Sequence, residues 1–298
     1  MKELIVSNIK NEKKLLYYIK DCFPNLSSSL LYKALRNKDI RVNGKRINDA
    51  NYILNNNDII DIYIDDYLLY GFPKDLNIQY EDENMIVAFK PQGILSNNEE
   101  SNITEPTFED FVKAKIGNEC RICHRLDRNT SGLIIFAKND VAYDTLLDAF
   151  KNNYITKEYV AYVFGCNFKS NNYHYENYIF KDEKTGFSKI YNSNIPGSQK
   201  IITDIYIEKI FKDKKYSILR VIIHTGKTHQ IRALLSSISS PIIGDSKYGK
   251  NEINKKFKRY KQLLFAVKYS FNFPNNSPLH YLNSINVSLD EELYTDKL

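Results

Sequence analysis

The sequence predicts an α+β protein with two domains: a small helix-and-hairpin unit, then a larger domain in which helices flank a mixed, largely antiparallel sheet. Three observations support this. The first 66 residues hold two helical patterns and one hairpin pattern. Beyond residue 75, several strand patterns follow one another without helical crossovers, which disfavours a doubly wound parallel sheet. The chain has 298 residues, a length at which chains split into domains, and its 43% apolar fraction supports a real core.

The small unit is predicted from local signals in residues 1–66. Apolar residues recur at helical spacing in two stretches, and Ser27-Ser28-Ser29 offers N-caps for the second helix. Asn43-Gly44, between β-forming residues, is a strong hairpin signal. In order, the predicted elements are helices around 15–19 and 30–35, a hairpin over 40–47, a strand over 60–65 and a linker over 67–74.

The larger domain, residues 75–298, mixes strand and helix patterns. Thr107 and Asp110 are spaced as a capping box, and Asp140 precedes another helical pattern as a cap. The predicted helices are 108–116, 141–150 and 228–238. The predicted strands are 76–80, 85–89, 133–137, 159–164, 204–210, 216–224 and 263–273.

Composition excludes several classes of protein. No apolar run approaches the roughly 20 residues that a membrane-spanning helix needs, and the N-terminus lacks the apolar stretch of a signal peptide. We therefore expect a cytoplasmic protein without a membrane partner. Four cysteines in a chain of this length do not form a disulfide framework. The net charge of +6 is compatible with a polyanionic partner but does not require one.

Positive charge is concentrated in one short segment of the small unit. Six basic residues face the single acid Asp39 between residues 33 and 46, on a predicted helix end and hairpin. They are Lys33, Arg36, Lys38, Arg41, Lys45 and Arg46. Such a surface suits contacts to successive phosphates, although an ordinary solvated face has the same composition. A second basic run, Lys247–Lys261, is equally compatible with a mobile loop.

The small unit resembles the RNA-binding domain named after the fourth small-subunit ribosomal protein. The resemblance lies in two short helices, a basic turn with Val-Asn-Gly-Lys at 42–45, and Asn57-Asp58 before the closing strand. That family usually has Gly-Asp where this chain has Asn57-Asp58. The resemblance implies structured RNA as the ligand.

Cysteine and histidine patterns offer weaker alternatives in the larger domain. Cys120 and Cys123 followed by His124 match the attachment pattern of c-type haem, but that chemistry needs a secreted apoprotein. A zinc site would need a second pair of ligands, and the remaining cysteines are isolated. Packed thiols are therefore the preferred interpretation. The sequence contains no Walker loop, Rossmann fingerprint or Gly-x-Ser-x-Gly elbow.

Two segments carry the charged groups that suit catalysis. Arg125 and Arg128 flank Asp127 ahead of a polar turn and an apolar strand, and cations at that spacing favour a carboxylate that works in its ionised form. A structural ion pair explains the same charges equally well. Further along, His229 and Arg232 are three residues apart at the start of a predicted helix, which makes Arg232 a candidate partner for a buried acid.

These segments together resemble the RluA-type family of pseudouridine synthases, which modify uridines in ribosomal and transfer RNA. The resemblance spans 75–274 and rests on five ordered motifs, at 75–93, 124–132, 157–161, 229–232 and 241–249. Two positions depart from the family pattern. Lys227 stands where the family usually has Arg, and Phe265 replaces a usual His before Ala266. The resemblance implies the pseudouridine synthase fold for this domain.

The resemblance also implies a role for each motif residue. Asp127 is the essential carboxylate, which acts on the sugar by covalent addition or by assisting elimination. Arg125 helps to extrude the nucleotide and fills the space left behind. Tyr159 stacks on the base and assists removal of the proton on carbon 5, Arg232 pairs with Asp127, and Leu264 packs against the base site. Read without the motif, Tyr159 is a core tyrosine, one of 23 in the chain.

The implied activity needs no metal or organic cofactor, and the implied partner is structured RNA, with ribosomal RNA favoured over transfer RNA. We expect a monomer. Two alternatives use the same residues. One is a catalytically inactive RNA-binding or ribosome-assembly factor on this scaffold, and the other is a hydrolase that uses Asp127, which would normally need a second carboxylate or a metal.

Overall fold

The computed structural model describes residues 2–9, 11–98, 105–166 and 168–298. These residues form two compact units. One runs to Asp75 and includes Glu105, and the other comprises the remaining described residues from Leu76 onward. The predicted α+β class, with a mixed, largely antiparallel sheet and flanking helices, is confirmed. Within the described ranges, no helix has the length and apolar character needed to cross a membrane.

Among its described residues, the first unit contains two helices, a short third helix and six short strands. They are β1 (Lys2–Ile5), β2 (Lys13–Lys14), α1 (Leu15–Cys22), α2 (Ser28–Arg36), β3 (Ile40–Val42), β4 (Lys45–Arg46), β5 (Ile53–Leu54), β6 (Ile59–Ile62) and α3 (Asp66–Tyr70). The sheet has the order β1-β6-β3-β4 with antiparallel pairing, and β2 pairs with β5. The apolar faces of the helices pack with the isoleucines of β3 and β6 to form the core of this unit.

Local chemistry fixes the hairpin and the second helix as the sequence predicts. Asn43 and Gly44 both have positive φ, 50° and 76°, as a two-residue hairpin turn requires. The Asn43 side chain donates to Asp58 Oδ1 at 2.8 Å and accepts from the amide of Ile59 at 2.9 Å, which ties the turn to the closing strand. At the start of α2, Ser27 Oγ accepts from the amide of Leu30 at 3.3 Å as an N-cap.

The segment predicted as a linker, 67–74, instead begins as part of the helix α3. Leu69 is buried in the core of the first unit, and the ring of Tyr70 packs edge-on against Phe23 at 5.4 Å between centroids. Tyr67 also donates a hydrogen bond to Glu105. Gly71 ends this helix and does not belong to an extended linker. The apolar contacts of the residues before Gly71 hold them in the helix, although Gly71 and Pro73 are turn signals in the sequence.

The second unit contains eleven strands and four α-helices among its described residues. They are β7 (Ile78–Glu81), β8 (Met85–Lys90), α4 (Phe108–Ile116), β9 (Arg121–Ile122), β10 (Ser131–Ala137), α5 (Asp140–Lys151), β11 (Ile155–Phe164), β12 (Asn172–Lys181), β13 (Ser188–Tyr191), β14 (Gln199–Phe211), β15 (Tyr216–Ile223), α6 (Gln230–Ser237), α7 (Asn251–Lys256), β16 (Leu264–Phe271) and β17 (Asn286–Ser288). Two 3₁₀ helices, His280–Ser284 and Glu291–Leu293, lie near the C-terminus.

These strands form one sheet in the order β13-β12-β14-β15-β11-β16-β10-β8-β7, with β17 beside β16 and β9 beside β10. All pairings are antiparallel except that of β10 with β16, near the middle of the sheet. Gly132 lies at that pairing with φ of 123°, and a Cβ there would be 2.2 Å from the carbonyl oxygen of Ala266. Only glycine allows the two strands this close.

Several elements of the second unit differ from the sequence prediction. β12 and β13 were not predicted, because β12 is mostly polar and partly exposed and is held by pairing with β14. The basic run 247–261 contains α7, which buries Ile253 and Asn254, so it is not simply a loop. The cap of α5 is Asn139 rather than Asp140, since Asn139 Oδ1 accepts from the amide of Ala142 at 2.8 Å. The capping box of α4 is confirmed.

Candidate active site

Asp127 lies in the loop between β9 and β10, and the loop is held by main-chain and buried side-chain contacts. The amide of Thr130 donates to the carbonyl of Asp127 at 3.0 Å. Ser96 Oγ bonds both the amide and the carbonyl of Leu126, at 3.0 and 2.8 Å. The fully buried Lys90 donates from Nζ to the carbonyls of Ile94 and Arg128, at 2.8 and 3.1 Å. The loop therefore presents the Asp127 side chain from a rigid base.

The Asp127 carboxylate meets the guanidinium of Arg232, which α6 contributes from 105 residues further along the chain. Nη1 of Arg232 donates to Asp127 Oδ2 at 2.7 Å. The other edge of the guanidinium donates to Asp245, from Nε at 2.8 Å and from Nη2 at 3.0 Å. The side chain of Asp127 is 27% exposed, whereas those of Arg232 and Asp245 are 9% and 0% exposed. Of the two carboxylates, Asp127 is therefore the one that solvent or a substrate can reach.

The pKa shifts in this network follow from burial and ion pairing. Burial acts to raise the pKa of Asp245, but the hydrogen bonds and charge of Arg232 outweigh it, so the pKa lies below its usual range. Burial acts to lower the pKa of Arg232, and Asp245 and Asp127 together reverse that effect and raise it. The Arg232 cation is therefore permanent and holds a fixed position between two carboxylates.

His229 lies beside the same carboxylate, just before α6. Its Nε2 is 3.8 Å from Asp127 Oδ2, and its Nδ1 is 2.9 Å from the hydroxyl of Tyr248. Its φ is 59°, in the left-handed region, so the turn into α6 aims the ring back toward the Asp127 loop. Burial lowers the pKa of His229 to about 4, and the opposing charge of Asp127 does not compensate. The imidazole is therefore neutral near pH 7.

Tyr159 and Leu264 come from the neighbouring central strands. Tyr159 in β11 is 7% exposed and pairs across the sheet with Ala266 in β16. Burial, with the charge of Asp127, raises the pKa of Tyr159 well above its usual value. Leu264 in β16 is buried and alternates with Phe265, which packs in the main core. Strand alternation therefore points Leu264 away from that core.

Arg125 precedes Asp127 by two residues in the same loop and is exposed. The structure thus brings together Asp127, Tyr159 and Arg232, and keeps Arg125 on the same loop as the carboxylate. The two positions that depart from the family pattern lie apart from the ion pair. Lys227 is exposed in the loop before α6, and Phe265 is a core residue whose ring packs edge-on against Tyr162 at 6.3 Å.

The Cys-x-x-Cys-His pattern is part of strand β9 and the turn after it. Cys120 and Cys123 are buried, and burial raises the pKa of both thiols. His124 Nε2 accepts from the amide of Ile135 at 3.0 Å, and the ring packs between Phe150 and Tyr269. These three side chains contribute packing and hydrogen bonds to the wall behind the Asp127 loop.

The basic residues predicted to bind RNA all lie in the first unit, at the end of α2 and on the β3–β4 hairpin. We call Lys33, Arg36, Lys38, Arg41, Lys45 and Arg46 the basic surface. All except Arg41 are exposed, and the Arg41 guanidinium lies over the ring of Tyr63 at 4.9 Å. Arg41 is directly opposite Arg46 in the hairpin and directly opposite Asp61 of β6 on its other side.

Comparisons with known proteins place this chain in one family. The family model for RNA pseudouridylate synthase matches residues 84–237. The chain is 30% identical to an uncharacterized RNA pseudouridine synthase of Mycoplasma capricolum, over 95% of this chain and 96% of that protein. The chain belongs to the RNA pseudouridine synthase family. It is accordingly an isomerase of the RluA type, and RNA is the class of molecule on which this synthase acts.

Two further comparisons concern the relatives' names and the fold. The synthase is 30% identical to ribosomal large subunit pseudouridine synthase C of Rickettsia felis, over 79% of this chain and 81% of that protein. The structure of human RNA pseudouridylate synthase domain containing 1 matches 73% of this chain and 84% of its own chain. The TM-score is 0.59 at 20% identity, which shows a shared fold.

Several residues that build the site were not identified from the sequence. Asp245 lies within the 241–249 motif, and nothing in the motif indicates that it is the buried partner that orients Arg232. His229 was placed on the helix face, whereas it forms the turn before the helix. Lys90 lies within the 75–93 motif, and its clamp on the Asp127 loop includes a contact with a residue 38 positions further along the chain. The one signal that the sequence offers for these residues is that each is a charged or titratable side chain within a motif.

Proposed function

We propose that this synthase converts specific uridines to pseudouridine in large-subunit ribosomal RNA, with Asp127 as the essential carboxylate. The observation that carries this proposal is the partly exposed Asp127 carboxylate, which accepts a hydrogen bond from Arg232 at 2.7 Å. The buried Asp245 fixes the position of that arginine. Names of relatives, such as the Rickettsia felis large-subunit enzyme, support ribosomal RNA as the substrate. We propose further that the enzyme acts as a cytoplasmic monomer, as expected from the sequence.

The proposed chemistry takes place at the sugar. Isomerisation breaks the glycosidic bond, rotates the uracil and rejoins it through carbon 5. An Asp127 oxygen serves this reaction either by adding to the sugar or by assisting elimination, and Arg232 balances its charge in both routes. Arg232 donates to Oδ2 of Asp127, and we propose that Oδ1 is the oxygen that acts on the sugar.

The nucleotide must leave the helix to reach this carboxylate, and flipping costs roughly a few kcal/mol. We propose that the exposed Arg125, on the same loop, occupies the space that the base vacates. Tyr159 and Leu264 then contact the uracil. Because the raised pKa keeps the Tyr159 phenol protonated, stacking by its ring is better supported than proton removal by a phenolate.

We propose that the first unit binds structured RNA through the basic surface, as its resemblance to the ribosomal-protein domain implies. The exposure of five of the six cations, clustered at the end of α2 and on the β3–β4 hairpin, supports this, because exposed Lys and Arg side chains can reach successive phosphates. The unit supplies affinity rather than chemistry in this proposal, since the residues assigned to the reaction all lie in the second unit.

The substrate is tested by mapping pseudouridine in RNA from cells with and without the gene. We expect one or a few sites to disappear from large-subunit ribosomal RNA and to return when the gene is restored. If sites disappear only from transfer RNA, the substrate is transfer RNA and not ribosomal RNA. An unchanged map, with RNA binding intact, would favour the alternative of an inactive RNA-binding factor.

The role of Asp127 is tested by Asp127→Asn in single-turnover assays on RNA from cells that lack the gene. We expect pseudouridine formation to fall at least about a thousandfold, equivalent to about 4 kcal/mol of barrier, because a neutral amide cannot replace the carboxylate. Asp213→Asn is the control, since it makes the same change at an exposed turn. A folded Asp127→Asn protein that keeps more than about a tenth of the wild-type rate would exclude the catalytic assignment.

A further inference from the structure

Lys157 is a buried lysine that lies next to the proposed active site, and its charge has no partner in the described part of the chain. It precedes Tyr159 by two residues in β11, roughly 7 Å along the strand, and is 7% exposed. Among the described residues, none accepts a hydrogen bond or forms an ion pair with Nζ of Lys157. The adjacent acid, Glu158, is already bound to Arg220 and Lys268, each at 3.3 Å.

The Lys157 ammonium lies beneath an exposed loop, residues 225–229, that leads from β15 into α6. A Cβ on Gly226 would lie 3.6 Å from Nζ, so the ammonium lies directly beside the main chain of this loop. On its other side, Nζ is 5.6 Å from the centre of the Phe150 ring, which accepts no strong hydrogen bond. Burial lowers the pKa of Lys157, as expected for a cation without an anion.

The 225–229 loop also leaves hydrogen-bond donors unused. No described residue accepts from the main-chain N–H groups of Gly226, Thr228 or His229. The loop ends at the N-terminus of α6, where the helix dipole favours an anion, and Lys227 adds an exposed cation. The same loop ends at His229, 3.8 Å from the Asp127 carboxylate. A largely buried cation and several unused donors thus belong to, or lie beside, one loop that ends next to the Asp127 carboxylate.

We propose that Lys157 and the 225–229 loop form a binding site for a phosphodiester of the RNA backbone beside the target uridine. A tetrahedral oxyanion with two unesterified oxygens suits a set of ammonium and N–H donors better than a neutral uracil carbonyl does. The bound phosphate would neutralise Lys157 and fix the flipped nucleotide relative to Asp127. This inference rests on the proposed function, because it takes RNA as the ligand and Asp127 as the reacting group.

The test is Lys157→Met in the full chain, which removes the charge and keeps an unbranched side chain. The RNA is a large-subunit ribosomal RNA transcript made without modifications. We expect the affinity to fall about tenfold or more, and the slope of log affinity against log salt to flatten by roughly 0.7–0.9, the value for one phosphate contact. Without RNA, the variant should melt at or above the wild-type temperature, because an unpaired buried charge is removed.

Lys214→Met is the matched control. It makes the same substitution in the exposed turn before β15, at the opposite end of that strand from the loop. Gly226→Ala is a second variant that keeps the Lys157 charge: the new methyl group fits at ordinary contact distance, and the φ of Gly226 is not in the left-handed region. We expect Gly226→Ala to fold normally and to bind the transcript more weakly than the wild type does.

Equal affinity and salt slope for Lys157→Met and Lys214→Met would overturn the proposal. So would a lower melting temperature of Lys157→Met together with unchanged binding by Gly226→Ala, which would make Lys157 a structural residue. A melting shift caused by inorganic phosphate alone, without any effect of Lys157→Met on RNA affinity, would assign the site to free phosphate instead. Binding is measured independently of turnover, so a wild-type protein that binds but forms no pseudouridine refutes the proposed function and leaves these comparisons valid.

Discussion

Asp245 gives the sharpest test of how the site is held together. Its fully buried carboxylate accepts from Nε and Nη2 of Arg232, and also from the amides of Lys247 and Tyr248 at 2.8 and 2.9 Å. Asp245→Asn keeps the shape but removes the charge, and it places an NH₂ group where one acceptor oxygen was. At least one of the N–H groups that donate to the side chain of residue 245 then has no acceptor. Arg232 keeps only one of its two carboxylate partners, Asp127.

The size of the effect follows from these contacts. Hydrogen bonds to charged groups contribute about 1.5–3 kcal/mol each, and removing one partner of a buried ion pair costs about 3–5 kcal/mol. The bond from Arg232 to Asp127 survives and offsets part of the loss. We therefore expect Asp245→Asn to lower the free energy of unfolding by about 3 kcal/mol, which corresponds to a drop in melting temperature of roughly 6–12 °C.

The effect should depend on pH in a defined direction. Because the folded-state pKa of Asp245 is below its usual value, its contribution to stability is complete above the unfolded-state pKa of about 3.9. The contribution is lost as pH falls below that value toward the folded-state pKa. The difference between the wild type and Asp245→Asn should thus be constant from about pH 5 to 7 and shrink in stronger acid.

The assay is thermal and denaturant unfolding of the wild type, Asp245→Asn and Asp127→Asn, with single-turnover rates on the same preparations. Asp127 is partly exposed and its partner keeps Asp245, so we expect Asp127→Asn to lose at most about 1 kcal/mol of stability. If Asp245→Asn melts at the wild-type temperature, the buried ion pair between Asp245 and Arg232 does not stabilise the fold as we infer. A larger loss of stability for Asp127→Asn than for Asp245→Asn would make the Asp127 ion pair structural.

Three further predictions concern other parts of the molecule. Alanine at all six residues of the basic surface should weaken binding of structured RNA and flatten the salt slope by roughly 0.7–0.9 for each phosphate that is no longer neutralised; an unchanged slope would remove this surface from recognition. Gly132→Ala should destabilise the second unit by about 3 kcal/mol or more in denaturant unfolding, because its methyl group would overlap the Ala266 carbonyl; near-normal stability would contradict the close strand approach. The rate should show no histidine ionisation between pH 6 and 8, since the pKa of His229 is about 4, and an inflection that disappears in His229→Asn would contradict this.

Much of the fold was predictable because its signals are local. The capping box at Thr107 and the Asn43-Gly44 turn depend on residues three apart or adjacent, and both are present as predicted. The central apolar strands were predicted for the same reason, because burial on both faces gives a continuous apolar run such as that of β10. Strand β12, half exposed and polar, has no such signal and forms only because β14 pairs with it.

The sequence by itself determined which charged residues are candidates for the chemistry, because the motifs around Asp127 and Arg232 are those to which the family resemblance assigns roles. Only the tertiary structure decided what those residues touch. The contact between Asp127 and Arg232 spans 105 residues, and the second anion on Arg232 and the burial of Lys157 exist only once the second unit has folded. Local propensity cannot encode such contacts, since burial in the folded core, rather than the type of residue, decides whether a charge is paired, exposed or buried without an anion.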